Sequence, residues 1–320
     1  MAASFATGAC FPPAFAMKRI VVTGATGTIG RAVAAALRNR GDVVVALSRD
    51  RARGEDALGA GVEVEVWGDP EASPPPAEAV AGAAGIVHLL GEPIAQRWTS
   101  ETKARIRDSR VRSTAQLVAA LAELPVEQRP EVLVSQSATG YYGPSDAREL
   151  DEGAPPGSDF LAGVVAAWEQ EARAAESLTR VVRTRTGVVL TPSGGALAQM
   201  LPFFRLGIGG PVAGGKQYVP WIHLADAVAA ILLCLDQRAV AGPVNVTAPN
   251  PVTNAEFSRA LGHALRRPAV LPVPGFALRL LYGEMAQIVI TGQRVIPRRL
   301  LDAGFEFDQP RVEAALADVL

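Results

Sequence analysis

Cysteine is nearly missing: the 320-residue chain has Cys10 and Cys234 only, which excludes a disulfide framework and fits a reducing compartment. Histidine is as scarce, and His88, His223 and His263 lack the spacing of a metal site, so no metal is expected. Neither sign of charge is in excess. The 31 basic and 32 acidic residues leave a net charge of −1, with no global basic field for nucleic acid. No uncharged apolar run approaches the length of a membrane span, and no single stretch is both cationic and amphipathic. Neither nucleic acid nor a membrane is expected as a partner. Residues 1–16 carry no charge, so they have neither the basic start of a secretory signal nor the arginines of a transit peptide. They are expected to be a disordered tail or to precede a start at Met17, and the protein to be cytoplasmic. Ser137 is not in a G-x-S-x-G elbow, which removes the usual hydrolase reading.

What is abundant is apolar residue in alternating blocks. With 49% hydrophobic residues, a chain of this length fills a large core. Short runs rich in valine and isoleucine, at Ile20–Thr23, Val43–Leu47, Val62–Trp67, Ile86–Leu90 and Val132–Ser135, predict parallel strands. Gly30–Arg40, Thr99–Leu124 and Phe160–Leu178 have helical periodicity between them, and Val181–Leu190 reads as a further strand. From Thr191 glycine and proline become dense and the rhythm weakens. The pattern predicts an α/β fold: a Rossmann-type, doubly wound parallel sheet over residues 17–190, rejoined near 221–247, with a smaller C-terminal substrate lobe from residues 191–220 and 248–320.

The strongest motif is Thr23-Gly24-Ala25-Thr26-Gly27-Thr28-Ile29-Gly30, after the first strand and opening the first helix. Gly24 permits the tight turn, Gly27 admits a pyrophosphate, and Gly30 lets helix meet strand. Free N–H groups from Thr26 to Gly30 then face the phosphates. At the end of the second strand an NAD site usually carries an acidic residue. Here stand Ser48 and Arg49, a hydroxyl and a cation suited to a 2′-phosphate, so NADP(H) is the expected cofactor and NAD(H) the lesser one. The alternative is that Arg49 is merely solvated and Asp50 holds the ribose.

With these residues in hand, the chain resembles the extended short-chain dehydrogenase/reductase superfamily. The glycine loop, His88-Leu89-Leu90-Gly91, Ser135-Gln136-Ser137-Ala138-Thr139-Gly140-Tyr141-Tyr142-Gly143 and Trp221-Ile222-His223-Leu224-Ala225-Asp226 match in order. It is similar within it to an epimerase-like subgroup labelled nucleoside-diphosphate-sugar epimerase, through Gly91-Glu92-Pro93-Ile94, Arg97-Trp98, Ser109-Arg110-Val111, Trp168-Glu169, Arg185-Thr186-Gly187 and Gly214-Gly215-Lys216-Gln217. The segment from Ala248 on matches too. The resemblance implies cofactor contacts at Leu89, Leu90, Gly91, Arg110, Thr186 and Asp69. Plain strand core for the leucines and a turn cap for Asp69 are the bland alternatives. It also implies a homodimer through the two crossover helices.

The superfamily's acid–base pair is absent. Ser137 matches its serine, but counting back from Glu169 puts Leu161 and Val165 where Tyr-x-x-x-Lys should fall. The lysines are Lys18, Lys103 and Lys216, and none lies four residues after a tyrosine. Three readings stay open: Tyr141 or Tyr142 supplies the proton beside Ser137; His223, Glu92 or Lys216 does; or the protein binds cofactor without chemistry. An unactivated phenol donates a proton more readily than it removes one, which favours reduction. Glu92, Arg97, Trp98, Lys216 and His223 are the candidate substrate contacts. The expected function is therefore an NADP(H)-dependent oxidoreductase or epimerase-like protein for a small polar substrate, and the alternative a non-catalytic NADP(H)-binding regulator or scaffold.

Overall fold

The computed structural model describes residues 17–145 and 147–320; the expected N-terminal tail, with Cys10, lies outside them. The first half runs β1 (Arg19–Thr23), α1 (Thr28–Asn39), β2 (Val43–Ser48), α2 (Arg51–Leu58), β3 (Val62–Val66), α3 (Ala77–Val80), β4 (Gly85–His88), α4 (Ser100–Glu123), β5 (Val132–Ala138), β6 (Glu149–Leu150), α5 (Phe160–Arg173) and β7 (Arg180–Thr186). The second half continues with β8 (Val188–Leu190), α6 (Gly195–Arg205), β9 (Tyr218–Val219), β10 (Trp221–His223), α7 (Leu224–Asp236), β11 (Gly242–Val246), β12 (Val252–Thr253) and α8 (Asn254–Ala264). It ends with α9 (Gly275–Tyr282), α10 (Gln287–Ile290), β13 (Arg294–Val295), α11 (Arg298–Asp302) and α12 (Val312–Val319).

Seven strands pair in parallel in the order β11-β7-β5-β4-β1-β2-β3. This is the doubly wound Rossmann arrangement, and its strands read as continuous valine and isoleucine because helices cover both faces. Successive side chains fall on opposite faces. Val22, Ala46 and Val87 pack under α1 and α7, whereas Val21, Val45 and Ile86 pack under α4 and α5. Only β3, at one edge of the sheet, keeps alternation, with Glu63 and Glu65 on its more open side. A separate core of Leu197, Leu201, Phe204, Trp221, Phe257 and Leu316 joins α6, α8, β10 and α12 into the smaller lobe.

Two boundaries differ from the sequence reading in ways that shape the site. β5 runs on to Ala138, so Ser137 sits within the strand and opposite Arg185 of β7. The expected strand Val181–Leu190 breaks at Gly187. β7 stays in the large sheet, and β8 leaves it to pair with β10. At Gly187 any Cβ would collide with the carbonyl oxygen of Pro220, so only glycine lets the two strands cross there. Trp221–Leu235 folds as β10 and α7, and the sheet's other edge strand, opposite β3, is β11. The apolar run 227–235 is long enough for a helix, and His223 caps its start through Nδ1, which accepts from the Ala225 amide at 3.2 Å.

Candidate active site

The strand order reverses between β4 and β1, and open α/β sheets bind ligands at the carboxyl ends of the strands at such a point. The glycine loop occupies it. Gly24 is left-handed (φ 63°), and a Cβ there would lie 2.6 Å from the Leu89 carbonyl oxygen, so this loop and the end of β4 touch through backbone alone. At Gly30 a Cβ would overlap the Gly24 carbonyl. Gly27 is the N-cap of α1 and brings no capping side chain, and the amides of Thr28, Ile29 and Gly30 have no backbone partner among the described residues. Three unpaired donors at a positive helix end are a cradle for phosphate oxygens. Thr26 lies on the same loop, half-buried, and Thr28 packs against Gly194 at the start of α6.

At the end of β2 the alternatives for ribose recognition separate. The Asp50 carboxylate caps α2, accepting from the Arg53 amide at 2.9 Å. The Ser48 hydroxyl donates to the Asp50 carbonyl at 2.8 Å. Arg49 is exposed and has no hydrogen bond or ion pair among the described residues. One oxygen of the Asp50 carboxylate is thus engaged in the cap, and Arg49, the cation that suits a 2′-phosphate, is unpaired among the described residues. Asp69 accepts from the Glu71 and Ala72 amides, both at 3.2 Å, closing the turn after β3.

Leu89 and Leu90 are half-buried where β4 ends, and the Leu89 amide donates to Thr23 Oγ1 at 3.1 Å. Arg110 lies against Gly91, where a Cβ would stand 2.9 Å from its Cζ. Its Nη1 donates to the Ile106 carbonyl at 2.9 Å, and burial lowers its pKa to about 10 despite the nearby Glu92. Thr186 is buried at the end of β7, its hydroxyl donating to the Thr184 carbonyl at 3.2 Å.

The three residues marked for catalysis fall into different environments. The Ser137 hydroxyl donates to Glu169 Oε1 at 2.7 Å. Glu169 in turn receives Arg185 on both oxygens, Nε to Oε1 at 2.7 Å and Nη2 to Oε2 at 2.9 Å. Burial works against the charged guanidinium, but the hydrogen bonds and charge of Glu169 outweigh it and hold the Arg185 pKa above its ordinary value. Nη1 of Arg185 also donates to the Tyr142 hydroxyl at 3.1 Å, and that hydroxyl donates to Asn245 Oδ1 at 2.6 Å. Tyr142 is buried, and its pKa is pushed up to about 12, chiefly by that burial. Tyr141 is half-buried. Its ring lies 3.5 Å from Arg185 Cζ, and its hydroxyl has no hydrogen bond among the described residues.

Glu169 and Arg185 are the members that the sequence reading took only as family marks. Their signal was present. Glu169 lies on the α5 face that carries Val165, Trp168 and Ala172, and Arg183 and Arg185 alternate along a buried strand. A carboxylate on a core face and guanidinium groups within a sheet must find each other, because an unpaired buried charge is prohibitively costly.

The candidate substrate contacts are not all in one place. The Glu92 amide donates to Ser109 Oγ at 3.0 Å, and Gln96 Nε2 donates to Glu92 Oε1 at 3.2 Å. Trp98 donates to the Ile94 carbonyl at 3.0 Å and stacks edge-on against Phe160, centroids 5.1 Å apart. Lys103 lies over the same Phe160 ring and pairs with Glu284 at 2.5 Å, which ties α4 to the C-terminal segment. Arg97 is exposed without a partner among the described residues. Beside this group a cleft of about 490 Å³ is lined by Asp159, Phe160, Arg279 and Glu284. Lys216 is exposed on the turn that packs against Ala255 of α8, and no hydrogen bond or ion pair joins it to Glu92, Arg97 or Trp98. His223 lines another groove, of about 720 Å³, with Ala32 and Ala36 of α1; its Nε2 is 3.2 Å from Asp318 Oδ2. Among the described residues no cluster of His, Cys, Asp and Glu has the geometry of a metal site, and no helix is long and apolar enough to cross a membrane.

Sheet order, glycine loop and unpaired helix start together define a Rossmann-type dinucleotide-binding protein of the extended short-chain dehydrogenase/reductase kind. The chain belongs to the NAD dependent epimerase/dehydratase family, which it matches over residues 20–247, and residues 273–319 match a domain of unknown function, DUF1731. It is 41% identical over 308 residues to the epimerase family protein SDR39U1 homolog, chloroplastic, of Arabidopsis thaliana, covering 94% of this chain and 86% of that protein. Among solved structures it is similar to human epimerase family protein SDR39U1 (isoform 2) crystallised with NADPH: TM-score 0.84, 36% identity, 94% of this chain and 98% of that one. It is also similar to a nucleoside-diphosphate sugar epimerase from Corynebacterium glutamicum, with TM-score 0.75 and 29% identity over 95% of this chain and 58% of that one.

Proposed function

We infer that the chain binds NADP(H) at the β1–α1 loop and uses it to reduce a small polar carbonyl compound. The observation that carries the cofactor half is the division of labour after β2, where Asp50 is spent on capping α2 and Arg49 is left free. The NADPH of the human relative's crystal structure supports the same choice. When bound, the cofactor supplies a hydride to the carbonyl carbon; the chain must supply one proton to the oxygen. Ser137 has given its hydrogen to Glu169, and Tyr142 has given its own to Asn245. Tyr141 is the phenol that remains uncommitted beside them, and we assign it the proton. Glu92 and Arg97, beyond the end of β4, offer a substrate a carboxylate and a cation.

A second reading, a regulator that binds cofactor without turnover, draws on the same network, since Ser137 and Tyr142 are both locked in buried bonds. NADPH consumption against a panel of carbonyl compounds and nucleotide sugars separates the two. Turnover that Tyr141→Phe removes supports the reductase; tight NADPH binding with no turnover across the panel leaves the regulator.

A further inference from the structure

Helix α9 is out of place in a finished surface. None of its eight residues is buried, although most are apolar. Leu206, Val270, Phe276, Leu280 and Leu281 are each between 66% and 80% exposed. These side chains come from two stretches distant in sequence that the fold lays side by side. Val212 pairs with Val273 as a bridge, the Ala213 amide donates to the Val273 carbonyl at 2.9 Å, and Gly207 and Gly210 pack against Pro268 and Leu271. A monomer's largest apolar patch is ordinarily a few hundred Å² and marks a contact surface when larger.

The charges within these stretches all have one sign. Residues 177–225 and 257–283 contain no aspartate or glutamate. They do contain Arg205, Lys216, Arg266, Arg267 and Arg279, all exposed and without an ion pair among the described residues. A second copy meeting this surface across a two-fold axis would bring like charges together, which argues against self-association here. Arg279 shares a cleft with Asp159 and Glu284, but the exposed leucines and Phe276 protrude and Arg205, Arg266 and Arg267 stay unpaired among the described residues; a lipid headgroup layer takes up such protruding side chains without needing a recess.

We propose that the surface formed by the end of α6, the 266–273 segment and α9 docks on an anionic lipid surface, its leucines and Phe276 entering the headgroup boundary and its arginines meeting the lipid phosphates. This goes beyond the cofactor reading and does not depend on it. No single stretch of the sequence is cationic and amphipathic, because the surface is assembled from two.

Flotation of the full chain with vesicles tests it. The chain should float with phosphatidylcholine vesicles that contain phosphatidylglycerol, stay behind with phosphatidylcholine alone, and be released as salt rises. Replacing Arg266→Gln and Arg267→Gln together should lower partitioning by on the order of tenfold or more. Leu280→Ser with Leu281→Ser should abolish it, while the urea midpoint of both variants stays near the parent's. Failure to float with anionic vesicles overturns the proposal and turns the surface towards an acidic protein. A dimer that the leucine variant dissociates overturns it in favour of self-association. Flotation that survives both variants overturns the assignment to this surface.

Discussion

Ser137 Oγ and Glu169 Oε1 are 2.7 Å apart in the protein interior, and the hydrogen between them belongs to the serine. A carboxylate that already receives two guanidinium nitrogens has only acceptor capacity to offer, so Ser137 can present a substrate its lone pairs but not its proton. Ser137→Ala should leave the Glu169–Arg185 pair intact and cost about 1 kcal/mol. Glu169→Gln leaves a buried guanidinium uncompensated and should cost about 3–5 kcal/mol. Urea unfolding of the two variants measures the contrast. Equal losses would mean that the serine, and not the ion pair, holds the network together.

Cofactor choice gives the second expectation. NADPH should bind more tightly than NADH, and Arg49→Ala should weaken NADPH roughly ten- to hundredfold while leaving NADH nearly unchanged. Calorimetric titration of both cofactors reads this directly. An Arg49→Ala variant that keeps the full preference would move 2′-phosphate recognition elsewhere.

The two tyrosines should behave differently. Tyr141→Phe removes the uncommitted phenol, and turnover should fall by about 10²–10⁴ with KM little changed. Tyr142→Phe removes the partner of Asn245 and Arg185, and should cost about 1–3 kcal/mol of stability while most turnover survives. The opposite pattern, with Tyr142 controlling kcat, would reassign the proton donor.

The sheet, its two faces and the glycine loop were legible because each is written in local pattern. Valine and isoleucine runs mark strands buried on both sides, and Gly24, Gly27 and Gly30 follow β1 at the spacing the turn requires. The surroundings of Ser137 were less legible because its partners are distant in sequence. Ser137 meets Glu169 from α5 and Arg185 from the neighbouring strand, so its role as a donor cannot be read from Ser137 and its flanks. The same holds for His223, whose motif places it with the site while its side chain lines the groove beside α1. The break at Gly187 was hidden inside a stretch that reads as one continuous strand, since the reason for it is the Pro220 carbonyl, more than thirty residues on.

His88 provides a prediction about acid. Its ring is fully buried at the end of β4, between Thr23 Oγ1 at 2.8 Å from Nδ1 and Thr114 Oγ1 at 3.1 Å from Nε2. The Thr114 hydroxyl donates to the Arg110 carbonyl at 2.7 Å, so it accepts from Nε2–H, and Nδ1 is the ring's acceptor. Burial lowers the His88 pKa from 6.5 to about 4. The unfolded chain therefore takes up a proton below pH 6.5 that the folded chain refuses until about 4. Stability must fall as pH drops through that window and level off beneath it, by about 3 kcal/mol in total. Glu152 and Asp226, whose carboxyl pKa values burial raises, pull in the opposite sense as they take up protons. The readout is thus the difference between parent and His88→Gln in urea midpoints at pH 7 and pH 4.5. His88→Gln should start less stable at pH 7 and lose less on acidification. Parallel losses in the two proteins would show that the ring is not the group that titrates.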